Sequence, residues 1–242
     1  MIKLINGDCL EKIKDLSDNS IDLVITDLPY GLGHSKLKWD TPIDLNIMWE
    51  QLWRVTKPNS PIFMFADMIF ASKLISSQPK YFKYEIVWEK TKSTTPMLSF
   101  KRMGKATEYI LVFYKKQPKY LAKDFHKVVR SKNNTVMGGL GQTYIENKRV
   151  KSKYYEPKLP LNIFKCPNID GHHKKIKGLT EKPVEVIEHI LKYYAEKGDT
   201  CLDICMGSGS TGEACKNRGV NFIGIELNNN HFKICKDRLY DV

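Results

Sequence analysis

Two stretches of the chain set chemically capable side chains at informative spacing. The first is Asp27-Leu28-Pro29-Tyr30-Gly31, directly after the apolar, β-branched run from Ile21 to Thr26. Pro29 fixes its own φ and confines Leu28 to extended backbone, so the Leu28 carbonyl points in a defined direction. The Asp27 carboxylate and that carbonyl form a pair of acceptors for the two N–H groups of a ring amino group. Such a nitrogen is a poor nucleophile because its lone pair is delocalised into the ring. Accepting both protons pulls it toward tetrahedral geometry. Tyr30 offers a ring on which an extruded base could stack. Taken alone, the pentapeptide would pass for a strand-ending turn, because Asp, Pro and Gly all favour turns.

The second stretch is Asp203-Ile-Cys205-Met-Gly207-Ser208-Gly209-Ser-Thr211-Gly212. Its glycines fit GxGxxG, which permits a tight turn and close approach of backbone to a ligand. Glu226 closes the following apolar run, where a carboxylate can accept from both hydroxyls of a ribose. Asp203 suits the ammonium of a methionine moiety. The same pattern would also fit a nicotinamide dinucleotide. Only 16 residues follow Glu226, too few for the remainder of a dinucleotide domain, so the other strands must come from the N-terminal part in permuted order. In such a sheet the strand ending at Asn6-Gly7-Asp8 lies beside the one ending at Glu226. Asp8, followed by Cys9, could then accept an adenine amino group. Alone it would be a helix N-cap, and both roles can hold.

These residues need a scaffold, and the hydrophobic pattern supplies one. Ile2–Asn6, Ile21–Thr26, Pro61–Phe65, Tyr84–Trp88, Tyr109–Tyr114, Thr200–Ile204 and Asn221–Ile225 read as strands, mostly buried. Met48–Val55 reads as a helix ended by Lys57-Pro58-Asn59. Thr180-Glu-Lys182-Pro183 opens another, with Pro183 early in its first turn, and Glu213–Asn217 is a third. Alternating strands and helices imply an α/β fold, a mainly parallel sheet covered on both faces. From Lys115 the pattern loosens. Asn133-Asn134, Met137–Gly141 and Tyr155–Pro157 read as turns or loops.

Charge singles out the same middle segment. The chain carries 39 basic and 27 acidic residues, a net charge of +12. Between Lys115 and Gly178 there are 16 Lys and Arg against 4 Asp and Glu, so the entire excess falls there. The excess makes either a lysine-rich solvated face or a surface for a polyanion, whose neutralised phosphates release counterions. His172-His173 beside Lys174-Lys175 reads as a solvated loop. Lys92, Lys101, Arg102 and Lys105, with Thr94-Thr95-Pro96, make either a second polyanion-facing loop or a plain surface loop. The six cysteines include no CxxC pair, so neither a disulfide framework nor a metal site is indicated, and Cys205, Cys215 and Cys235 read as small core or site-lining residues. No apolar run nears the ~20 residues of a membrane span, and the first residues lack a signal-peptide pattern. The expectation is a cytoplasmic protein.

Together the motifs resemble the β group of amino-group DNA methyltransferases. Asp27-Leu-Pro-Tyr30 is similar to their Asp-Pro-Pro-Tyr, Asp203–Thr211 to their Asp-Pro-Phe-x-Gly-Ser-Gly-Thr-Thr, and Thr180–Val184 to the Thr-Glu/Gln-Lys-Pro segment before it. Trp88-Glu-Lys90 and Glu108–Phe113 look like their later strands. The resemblance covers residues 1–114 and 179–242. It implies a Rossmann-like, circularly permuted sheet that binds S-adenosyl-L-methionine, with 115–178 as an inserted target-recognition region. It implies catalytic roles for Asp27, Leu28, Pro29 and Tyr30. It implies cofactor roles for Asp8, Cys9, Lys182, Asp203, Cys205, Gly207, Ser208, Gly209, Thr211 and Glu226, with Lys182 reaching the methionine carboxylate. Asp at position 27 usually goes with adenine N6 and Ser with cytosine N4. Double-stranded DNA is the implied partner; a homodimer and a companion restriction endonuclease stay open. Leu28, Cys205 and Thr107 depart from the family's Pro, Phe and His. Three other readings compete: a cytosine-N4 enzyme, a methyltransferase of RNA or a small molecule, and a DNA-binding regulator with a degenerate site.

Overall fold

The computed structural model describes residues 1–31, 41–136, 148–169 and 181–240, with side chains for all of these except 130–136 and 148–152. In chain order the elements are β1 (Ile2–Asn6), α1 (Cys9–Lys12), β2 (Leu23–Thr26), α2 (Leu45–Val55), β3 (Ile62–Ala66), α3 (Met68–Ser77), β4 (Phe82–Glu89) and β5 (Thr107–Phe113). Then come α4 (Ala122–Phe125), β6 (Lys127–Val136), β7 (Lys148–Glu156), β8 (Ile163–Lys165), α5 (Val184–Tyr194), β9 (Thr200–Asp203), α6 (Ser210–Arg218), β10 (Asn221–Glu226) and α7 (Asn229–Tyr240).

Eight strands form one sheet in the order β1-β10-β9-β2-β3-β5-β4-β8. All neighbours run parallel except β5, which is antiparallel to β3 and β4. Alternation along the strands splits their side chains between two layers. Val24, Ile62, Met64 and Leu202 face α2 and α3 through Met48, Trp49, Leu52, Phe70 and Leu74. Leu23, Ile25, Phe63, Phe65 and Cys201 face α5, α6 and α7 through Ile187, Ile190, Leu191, Cys215 and Leu239. Strands covered on both faces read as unbroken apolar runs, which is why they were visible in the sequence. Burying one such Leu or Ile contributes about 1.5–3 kcal/mol.

The order places β9 directly against β2, with Leu23 opposite Cys201 and Val24 opposite Leu202. Helices before this junction cover one face and those after it cover the other. That is the topological switch point, where ligands of such sheets bind at the carboxyl ends of the strands.

Tyr120–Leu161 forms a second compact unit; Met1–Lys119 and Asn162–Val242 form the first. The expected divisions at 115 and 178 therefore move. β8 lies inside the expected insertion yet pairs with β4, and Lys119 binds Glu196 and Asp199 at 2.8 Å. Within the second unit, β6 and β7 pair antiparallel from Lys127 opposite Glu156 to Val136 opposite Lys148. Asn133-Asn134 thus belongs to a strand, not a turn. Tyr155 and Glu156 end β7 just before Pro157. Pro183 caps α5 from outside with extended backbone instead of entering its first turn. Met137–Gly141, His172-His173, Lys174-Lys175 and Thr180 lie outside the described residues. Among the described residues no helix is long and apolar enough to cross a membrane, and no cluster of His, Cys, Asp and Glu could hold a metal ion.

Candidate active site

The two motifs meet at the switch point. Asp203 ends β9 and Thr26 ends β2, and the Thr26 hydroxyl donates to Asp203 Oδ1 at 2.9 Å. The Cys205 amide donates to the same oxygen at 3.0 Å, and the Thr211 hydroxyl to Oδ2 at 2.7 Å. Burial outweighs these bonds, and the nearby Asp27 charge adds to it, so the Asp203 carboxyl is pushed up to about 6.

The glycine loop follows. Gly207 and Gly209 adopt φ of 52° and 86°, left-handed backbone that glycine enters without strain. A Cβ on Gly209 would also meet Cys235 Sγ at 2.6 Å. Glu226, at the end of β10, accepts from the Gly207 amide at 2.9 Å and from Asn228 at 2.7 Å. Asp8 ends the β1 segment and caps α1, accepting from the amides of Leu10 and Glu11 through Oδ1. The Cys9 and Cys205 thiols hydrogen-bond to each other across this rim. Ser208 is buried, its hydroxyl accepting from Arg238 at 3.2 Å. Arg238 also binds Glu181 at 2.6 Å and pairs with Glu213, so it braces the loop from behind. The sequence reading missed it; its spacing to Cys235 and Leu239 marks only a helix.

Asp8, Asp203 and Glu226 place three carboxylates around one glycine loop. That rim fits a cationic ligand carrying an ammonium and a ribose. It would repel the diphosphate of a dinucleotide, which removes the alternative fingerprint. Thr211 and Ser208 turn inward here and support the loop.

The catalytic motif sits one strand over. Leu28 is buried in the core, and Tyr30 stacks on Phe70 with centroids 4.9 Å apart. The Tyr30 hydroxyl lies 3.2 Å from Asp27 Oδ1 and 3.0 Å from Glu108 Oε1, and shares its proton between them. Lys182 Nζ reaches Asp27 Oδ2 at 2.5 Å and Glu108 Oε1 at 3.1 Å. It lies 5.3 Å from the Phe65 ring centroid. Lys90 donates to Glu108 Oε2 at 2.6 Å. Lys182, expected at the methionine end of a cofactor, is placed here against the catalytic acids. Its ammonium lies between the two carboxylates of the catalytic cluster.

Sequence reasoning noticed Glu108 and Lys90 only as strand residues. The signal was their register, since Trp88 pairs with Glu108 and the strand ends bring Lys90 alongside.

This quartet of two acids and two lysines sets the local charges. Burial raises Glu108, but Lys182 and Lys90 outweigh it and hold it down at about 2. Asp27 has one lysine and an acidic neighbour; burial outweighs Lys182, Glu108 adds to it, and the carboxyl stands above its ordinary value. Burial opposes the Lys182 charge, yet Asp27 and Glu108 hold the ammonium above its ordinary value. Burial, then the two carboxylates, holds the Tyr30 phenol well above its usual range, so it stays a donor.

With this geometry in place, the comparisons are specific. A model of the N6/N4 DNA methylase family matches residues 21–237. The Type II methyltransferase M.HpaI of Haemophilus parainfluenzae is 26% identical, over 98% of this chain and 74% of its own length. The DNA adenine methyltransferase YhdJ of Escherichia coli is also 26% identical, over 98% and 82%. The crystal structure of the M1.HpyAVI–SAM complex superposes with a TM-score of 0.65 at 27% identity, covering 99% of this chain and all of that one. The chain belongs to the DNA methylase family that modifies amino groups at N6 or N4, with S-adenosylmethionine as its cofactor.

Proposed function

We propose that the acceptor base is adenine, methylated at N6 in duplex DNA. The observation that carries this is an aspartate at position 27, its carboxylate set beside Tyr30 and one hydrogen bond from the cofactor strand through Thr26 and Asp203. YhdJ, a DNA adenine methyltransferase, supports the reading by likeness. S-adenosylmethionine supplies a methyl group on a cationic sulfur. Asp8, Asp203, the glycine loop and Glu226 hold it; Cys9 and Cys205 line the rim.

The Asp27 carboxylate and the Leu28 carbonyl then accept the two N–H groups of the extruded base. As the nitrogen gains its bond to the methyl carbon, that carbon's bond to the cationic sulfur breaks to leave a neutral thioether, and the nitrogen must shed a proton. Asp27 Oδ, raised above the ordinary carboxylate range, is the acceptor for it. Tyr30 and Lys182 hold that carboxylate in place, and the arrangement needs no reorganisation during transfer. The basic 115–178 segment, with the hairpin unit, is the proposed grip on DNA and target reader. A companion restriction endonuclease, a homodimer and a cytoplasmic site of action complete the reading.

Mapping of modified bases in DNA from a host expressing the protein is the direct test. N6-methyladenine at one short sequence is the expected result. N4-methylcytosine alone would overturn the assignment.

Asp203 gives a second expected outcome. Its folded pKa of about 6 lies above the ordinary 3.8. Ionising it therefore costs the cofactor-free fold stability, lost as pH rises from about 4 through about 6 and reaching up to about 3 kcal/mol. The cofactor's ammonium requires the ionised form. S-adenosylmethionine affinity should thus fall below pH 6, approaching tenfold per pH unit. Asp203→Asn should bind the cofactor weakly without that slope, and melt higher than wild type at pH 8 when cofactor-free. Calorimetric titration across pH 5–8 reads this, and an unchanged slope in the variant would refute it.

A further inference from the structure

The connection between β4 and β5 is built with unusual care for a surface segment. The Lys90 amide donates to the Ala106 carbonyl at 2.7 Å, and the Thr94 amide to the Lys105 carbonyl at 2.8 Å. The Lys105 amide donates back to Thr95 Oγ1 at 3.0 Å. Gly104 lies so close to Ser93 that a Cβ would meet its Oγ at 2.5 Å. At the tip, Pro96–Leu98 forms a 3-10 turn, and the amides of Lys101 and Arg102 both donate to the Leu98 carbonyl. The segment is pinned by its own backbone.

What it holds out is apolar. Met97, Phe100 and Met103 are 94%, 102% and 96% exposed. A single exposed apolar residue is ordinary; three stretched fully into water on one braced tip contribute nothing to folding and mark a binding surface. Lys101 and Arg102 stand between them, Lys92 and Lys105 flank them, and no acidic residue occurs from Thr91 to Ala106. The stem runs straight into Lys90 and Glu108, which meet at 2.6 Å in the catalytic cluster.

Cations around an apolar wedge, on a stem fixed to the catalytic quartet, fit duplex DNA. The cations match phosphates, and Phe and Met are side chains that enter between stacked bases. We propose that Phe100, supported by Met97 and Met103, enters the duplex beside the target base and occupies the space its extrusion opens. Lys101 and Arg102 hold the flanking phosphates. The inference rests on the chain acting on duplex DNA, and holds for either base.

Extrusion costs least when the target base is already unpaired. The test therefore uses the mapped target duplex in two forms, with the target base paired and with it mispaired. Phe100→Ala should slow single-turnover methylation of the paired form about 30-fold or more, and of the mispaired form less than about threefold. Melting temperature and cofactor affinity should match wild type. Lys101→Ala combined with Arg102→Ala should lower the slope of log affinity against log salt by about 1–2. Equal losses on both duplexes, or no loss on the paired one, overturn the wedge. A shift from oligomer to monomer in Phe100→Ala on sedimentation also overturns it, and makes the tip a contact between copies. Wild-type rates separate the two ideas: a wild type inactive on both duplexes refutes the DNA reading itself and the wedge with it.

Discussion

An Asp27→Ala variant should lose methyl transfer by about 10³-fold or more while still binding S-adenosylmethionine. Positioned acceptors and proton acceptors each contribute about 10²–10⁴-fold, and Asp27 fills both roles in the proposed reaction. Its surroundings are set to keep it there. Tyr30 and Lys182 each bond one of its oxygens, and none of these groups belongs to the carboxylate rim proposed to hold the cofactor. Cofactor affinity should even rise slightly near pH 6. The Asp27 charge is one cause of the raised Asp203 carboxyl, so removing it leaves more Asp203 ionised. Asp27→Asn separates shape from charge. It keeps one acceptor oxygen but turns an amide toward Lys182, and should fall within about tenfold of the alanine variant. Single-turnover rates and calorimetric titration measure both parts. An alanine variant within tenfold of the wild-type rate would end the catalytic assignment.

Lys182→Met should be costly in a different way. The side chain is 8% exposed, and its ammonium serves both carboxylates. Removing one partner of a buried ionic group costs about 3–5 kcal/mol, or roughly 6–20 °C in melting temperature for a domain of this size. The sign of the pH effect follows from the shifts. Lys182 stands above its ordinary value, so its contribution is complete at neutral pH and is lost only as pH rises through its folded value. Glu108 is held at about 2, so its contribution is present above about 4.5 and fades as pH falls toward 2. Without Lys182, Glu108 keeps Lys90 whereas Asp27 keeps no cation. Asp27 then takes up the proton, and the acid limb of the rate profile moves up by more than about one pH unit. Thermal melts and a pH–rate profile read the two effects. An unshifted acid limb would show that Lys182 does not tune Asp27.

The sheet was legible because its strands are covered on both faces, so Leu-Val-Ile and Ile-Phe-Met-Phe runs need no alternation to be seen. Besides the short α4, the longer helices α3 and α7 escaped notice. In α3 the signal was Asp67 as a cap with Phe70, Ala71 and Leu74 on one face. In α7 it was Asn228 accepting from the amides of Asn230 and His231 ahead of Cys235 and Leu239. The β6–β7 pair was hidden because Lys132, Asn133 and Asn134 are residues that turns favour, and no apolar period marks the strand. In the site, each motif residue that ends a strand fell where expected. The Lys182–Glu108 contact was not legible, because Glu108 comes from β5, and spacing along a chain says nothing of a side chain arriving from an antiparallel neighbour. Glu108 was missed for the same reason, and Arg238 because its spacing to Cys235 and Leu239 marks only a helix.

The strand order also dictates when this enzyme can exist. β9 and β10 are made after β1 to β8, yet they fill the slot between β1 and β2. Until they arrive, β1 and β2 have no mutual partner and expose unpaired edges. Pairings such as Leu23 with Cys201 and Ile2 with Phe222 span nearly the whole chain, and contacts of such separation form slowly. The methyl-donor strand is thus the keystone of assembly. A nascent chain stalled before residue 200 holds Asp27 and Tyr30 but neither a closed sheet nor Asp203.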